Sequence, residues 1–181
     1  MSSLAEAKLA YEAVESLQKP VMISFALNST GQLRSGEAVL DSIKKLLAFC
    51  DERAREQAAS NSTSGGKSML QGILFNYSQP EDIAKVLRHI HENKGLFREL
   101  KDKGIKLGGY GDRISSVSTA GVLEEKLGSG AMHSVLDMEI FASFVMRWLE
   151  DGAEIVGGGC GVPPNYLGRI HERLQEHKVS P

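Results

Sequence analysis

Apolar positions along the chain alternate between two rhythms. Residues 20–27, PVMISFAL, make a short and nearly continuous apolar run, the pattern of a parallel strand covered by helices. From Glu37 onward, Val39, Leu40, Ile43, Leu46, Leu47 and Cys50 recur at helical spacing, which predicts one buried stripe with Cys50 in it as a small hydrophobe. MLQGILF reads as a second strand. Pro80 then opens a helix in which Ile83, Val86, Leu87 and Ile90 follow at i, i+3, i+4 and i+7. Ile105–Gly109 is a third strand, followed by a glycine- and serine-rich stretch to Asp137. Ile140, Phe141, Phe144, Val145, Trp148 and Leu149 mark a broad apolar helix face with Trp148 in the core. In AEIVGGGCGVPP a last short strand ends in glycines, and Pro163 and Pro164 open a helix carrying Leu167, Ile170 and Leu174. Strand followed by helix, four times over, predicts parallel βα units with the helices outside.

Two segments offer candidate chemistry of their own. Residues 57–68, QAASNSTSGGKS, hold little that can be buried and are expected to form a flexible loop. The GGKS within it imitates a phosphate loop, but Asn61 stands where the first glycine of that motif belongs, so no backbone cradle is expected. His89 and His91 sit near the end of the Pro80 helix, where cationic side chains complement the helix dipole, and this explains them better than a metal site does.

Composition narrows the classes. The 181 residues are 41% hydrophobic and 24% charged, as in one soluble domain with a real core. A net charge of -2 leaves no basic surplus for nucleic acid. No apolar run reaches the roughly 18 residues of a membrane span, and MSSLAEAKLAYEAVES carries acidic residues where a signal peptide has its apolar region. A cytoplasmic protein is expected, touching neither nucleic acid nor membrane. There the two cysteines, Cys50 and Cys160, stay thiols, and two are too few for an all-thiolate zinc site.

Four stretches, KPVMISFAL with GQLRSGE, then GILFNYSQPEDI, then IKLGGYGDRI, then WLEDGAEIVGGGCGVPPNYL, resemble the homocysteine S-methyltransferases in the same order, from about Leu4 to Leu174. The resemblance implies a (β/α)8 barrel in which three cysteines on loops after strand ends hold a zinc. The zinc deprotonates the homocysteine thiol for attack on the methyl group of S-methylmethionine or S-adenosylmethionine, giving methionine. It assigns substrate contact to Asn76, Ser78 and Gly158 and a metal ligand to Cys160. The other two ligand positions are Tyr77 and Gly159, neither of which is a cysteine. One sulfur of three remains, and zinc is expected to bind weakly here or not at all.

Length is the second departure. A full barrel takes about 250 residues, and the resemblance starts at a helix before the fifth strand, which predicts a partial barrel of four parallel βα units truncated on its amino-terminal side. Such a half barrel is expected to expose two sheet edges and much of the barrel's apolar inner lining, and so to form homo-oligomers or to need a partner chain. The favoured reading is a degenerate methyltransferase relative, inactive as an isolated chain, that binds homocysteine or a related small thiol. One alternative is an active zinc enzyme completed by another chain, or a fragment of a longer one. Another is a non-catalytic module whose Gly157–Gly161 backbone binds an anion.

Overall fold

The computed structural model describes residues 1–60, 68–113 and 136–179. Four strands, β1 (Val21–Ala26), β2 (Leu70–Asn76), β3 (Lys106–Gly111) and β4 (Ile155–Gly158), form one parallel sheet in the order β1-β2-β3-β4. Helix α1 (Leu4–Glu15) precedes β1, α2 (Val39–Ser60) links β1 to β2, and α3 (Pro80–Glu92) and α4 (Lys94–Asp102) link β2 to β3. Helix α5 (Met138–Glu150) precedes β4 and α6 (Pro164–Val179) follows it. This is the α/β half barrel expected from the alternating pattern. Helix α2 runs through Ser60, four residues into the segment read as a loop. Of the GGKS imitation, residues 65–67 lie outside the described residues, while Ser68 Oγ accepts from the Leu70 amide at 3.2 Å.

One sheet face carries the core. Ile23 and Phe25 of β1, Ile73 and Phe75 of β2 and Leu107 of β3 are buried there against the stripes of α2 and α3, in which Ile43, Leu46, Leu47, Cys50, Ile83, Val86, Leu87 and Ile90 are all inaccessible or nearly so. Gly109 and Gly111 are glycines because Trp148 and Ile83 fill their side-chain space: a Cβ at Gly111 would meet Trp148 Cη2 at 3.1 Å, and one at Gly109 would meet Ile83 Cγ2 at 2.7 Å. The Trp148 indole N–H donates to Pro80 O at 3.0 Å, so its one polar atom is satisfied inside the core. The predicted apolar faces need correction at two places, since Ile140 and Leu167 are exposed while Tyr166 is the buried residue beside Ile170 on α6.

Helix α4 has no counterpart in the sequence reading. Asn93 ends α3 and caps α4, its side-chain oxygen accepting from the Leu96 amide at 3.1 Å, and Leu96 and Leu100 bury one turn apart. His91 packs its ring against Phe97, 4.9 Å between centroids, while His89 is exposed.

The opposite face, which would line a barrel, is less apolar than expected. Tyr110 Oη donates to Ser24 Oγ at 2.9 Å, and Ser24 Oγ donates to Asn76 Oδ1 at 2.9 Å, so three adjacent strands are stitched by polar side chains near their carboxyl ends. Leu74 fills the room above Gly108, where a Cβ would approach its Cδ2 to 2.6 Å. Nor is the β1 edge wholly bare. The Met1 ammonium donates to Ser24 O at 2.6 Å, and Met1 O accepts from the Ala26 amide at 2.8 Å.

Candidate functional site

The resemblance placed its site residues in loops after strand ends, the face on which barrel enzymes carry their chemistry. Residues following β2, β3 and β4 do converge there. After β2 the chain turns at Tyr77, whose φ of 51° is left-handed and unusual for a residue with a side chain. Tyr77 is partly exposed, and Arg34, from the loop after β1, holds it from two directions. The guanidinium donates from Nη2 to Tyr77 O at 3.2 Å and lies 5.0 Å from the ring centroid.

Ser78, expected to touch substrate, is 3% exposed. Its hydroxyl donates to Asn76 O at 2.7 Å and accepts from the Leu27 amide at 2.8 Å, while Ser78 O accepts from the Asp112 amide at 2.9 Å. The hydroxyl thus ties the end of β1 to the loop after β2, and the Ser78 backbone carbonyl ties that loop to the one after β3. Asn76 is half-buried in the polar stitch with Ser24.

The loop after β4 is organised by Asp112. This carboxylate is buried, and its Oδ1 accepts from the Cys160 amide at 2.8 Å. Two backbone bonds run beside it, Gly159 N to Gly111 O at 2.8 Å and Arg113 N to Cys160 O at 2.9 Å. Burial raises the Asp112 carboxyl above its ordinary value, against the opposing pull of the Cys160 backbone and thiol and of the Arg34 charge. Cys160 is exposed, yet its thiol is also pushed up, first by desolvation and then by the Asp112 charge and hydrogen bond. Both effects favour the thiol over the thiolate.

Gly158 and Gly159 are glycines for want of space. A Cβ at Gly158 would come within 2.6 Å of Val162 Cβ. At Gly159 it would collide with Asp112 Oδ1 and lie 2.9 Å from Tyr110 O and 3.1 Å from Gly111 O. Asp112 thus occupies the room in which a side chain at 159 would have to start.

Zinc needs three or more protein ligands, preferably thiolate, imidazole or carboxylate. The loops bring together one thiol and one carboxylate, and that carboxylate is engaged by backbone. Among the described residues no group of three or more His, Cys, Asp or Glu is placed to hold a metal ion. Tyr77 is drawn to Arg34 instead. Among the described residues the donor set does not fit zinc.

Asp112 and Arg34 were both missed as site residues, although they stand inside the quoted stretches IKLGGYGDRI and GQLRSGE. For Asp112 the available signal was a charged residue directly after a barrel strand; Arg34, further along the loop after β1, gave no such signal.

The family model described as homocysteine S-methyltransferase matches residues 1–174. No curated protein sequence matches the chain. Two solved structures of the homocysteine methyltransferase MmuM from Escherichia coli are similar in fold. The metallated form superposes with a TM-score of 0.59 at 17% identity, over 96% of this chain and 42% of that one. The oxidized form gives 0.60 at 18% identity, over 96% and 43%. The chain therefore spans less than half the length of the structures it resembles.

Proposed function

The chain belongs to the homocysteine S-methyltransferase family, and we propose that it is a degenerate member that keeps half of the scaffold and does not transfer methyl groups on its own. The observation that carries this reading is the position of Asp112. Its carboxylate fills the space at Gly159 and grips the Cys160 amide, so the closing loop is built around a carboxylate in place of a second thiolate. With Tyr77 at the other ligand position, a homocysteine thiol in this site would keep its proton at neutral pH. Thiols of ordinary pKa, near 8.5, are then mostly un-ionised, and neither the nucleophile nor its orientation toward a methyl donor is supplied.

What these loops bring together is Arg34 against the Tyr77 ring and the buried Asp112 carboxylate against Cys160. It suits reversible binding of a small polar thiol better than chemistry on one. The test is turnover of homocysteine with S-methylmethionine or S-adenosylmethionine, with zinc added. No methionine above background is expected. Zinc-dependent methionine formation that disappears in Cys160→Ala would overturn the reading and establish a working enzyme.

A further inference from the structure

The carboxyl-end row of the concave face takes one residue from each strand. Ala26, Asn76, Tyr110 and Gly157 stand in register across β1, β2, β3 and β4. Since Phe25, Phe75, Leu107 and Val156 pack on the core side, strand alternation turns these four to the other face. The two central side chains meet Ser24, two residues back from Ala26, in a chain whose direction follows from its protons. Ser24 Oγ has one proton and gives it to Asn76 Oδ1 at 2.9 Å, so the bond from Tyr110 Oη, also 2.9 Å, uses the phenol's proton. A phenol is a stronger donor than an alkyl hydroxyl, which favours this direction. Asn76 Oδ1 is thereby occupied, and the Asn76 Nδ2 group turns away from Ser24 with two N–H donors. Neither finds an acceptor among the described residues, and Asn76 is only half-buried.

Room lies beside the Tyr110 end of this chain. A Cβ built on Gly157 would make one ordinary contact among the described residues, 3.5 Å to Tyr110 Cβ, whereas at Gly158 and Gly159 it would run into Val162 and Asp112. The absent side chain at 157 therefore leaves space on the concave face that the described residues do not fill. We propose that Tyr110 is a positioning residue: acting through Ser24, it holds the Asn76 amide with its N–H groups outward, so that this face selects small thiols carrying a carboxylate over those carrying an ammonium. A carboxylate supplies the acceptor that Asn76 lacks, while an ammonium brings further donors to the same place. Nearby charge does not decide the matter, because the Arg34 charge acts against that of Asp112 and the Asp112 Oδ1 is already bound by the Cys160 amide. This inference rests on the reading that these loops bind a small polar thiol.

Calorimetric titration of the full chain with β-mercaptopropionate and with cysteamine measures the selection, since the two share a thiol arm and differ in the sign of the charged end. The carboxylate probe is expected to bind about tenfold tighter, the equivalent of one charge-assisted hydrogen bond. In Tyr110→Phe the Asn76 amide is free to turn over and present its oxygen, and the ratio should fall to about one. Asn76→Asp, which offers acceptors only, should reverse the preference. If Tyr110 served packing alone, its loss would weaken both probes alike and leave the ratio standing; that result would overturn the assignment, as would equal binding of the two probes by the parent chain. Side-chain amide NMR of the ligand-free protein tests the positioning apart from binding: the Asn76 NH2 signals should shift in Tyr110→Phe. Binding of neither probe would sink the thiol site itself, and those signals then decide, because Asn76 resonances unmoved by Tyr110→Phe overturn the positioning and shifted ones uphold it.

Discussion

Restoring a cysteine at position 159 should damage this protein before it helps it. In Gly159→Cys the new Cβ meets the Asp112 carboxylate and two backbone oxygens, Tyr110 O at 2.9 Å and Gly111 O at 3.1 Å. The carboxylate can swing aside only by giving up the Cys160 amide, bound at 2.8 Å. Leaving that partly buried donor unsatisfied costs about 1–3 kcal/mol, and the backbone contacts add an overpacking cost of about 1–3 kcal/mol. Allowing for partial relaxation, the sum is roughly 2–4 kcal/mol, and at about 2–4 °C per kcal/mol for a chain of this size the melting temperature should fall by roughly 5–15 °C. A double-mutant cycle with Asp112→Ala isolates the cause. If the two side chains compete for one volume, the double variant is less destabilised than the singles predict, by about 1–2 kcal/mol. Thermal and urea melts of the four proteins measure this. Additivity within about 0.5 kcal/mol would refute the competition, as would a Gly159→Cys protein that melts like the parent.

Three further outcomes follow from the same geometry. Native thiol labelling should find Cys160 and spare Cys50, whose thiol is pushed up to about 12 by burial; Cys160 should react slowly at neutral pH and faster in Asp112→Asn, and equal labelling of both thiols would contradict the buried stripe. Asp112 carries a raised pKa, so the native state holds its proton to higher pH than the unfolded chain does, and this group's contribution to stability falls as pH rises from the ordinary aspartate range through the folded value. Asp112→Asn should remove that part of the slope of melting temperature against pH, and an unchanged slope would assign it elsewhere. Ser78→Ala should cost about 1–3 kcal/mol in denaturant melts, because the buried Leu27 amide loses its acceptor; a neutral result would mean that water or another group replaces the hydroxyl.

Periodicity made the helix-covered face legible in advance. The stripes of α2 and α3, the core place of Trp148 and the strand–helix order are all visible as spacing, because burial on one side of a helix leaves a period in the chain. The break at Asn93 was not visible, since a cap shows only as one polar residue between two apolar clusters. Ile140 and Leu167 misled for a related reason: hydrophobicity marks a residue that wants a neighbour, and among the described residues none covers these two. At the site, motif matching found Tyr77 and Gly159 as departures from a pattern in which Cys160 remains, but departures say what has left. That Asp112 had taken the vacated volume depends on two side-chain positions 47 residues apart in sequence, which only the fold brings into contact.

The polar stitch of Ser24, Asn76 and Tyr110 has a consequence for how this half scaffold behaves in solution. Hydroxyl and amide groups that bond one another across three strands still have lone pairs and donors to spare, so water can wet the concave face instead of being expelled from it. Drying of a large apolar concavity is what drives open sheets to stick together indiscriminately. A wettable concavity weakens that drive.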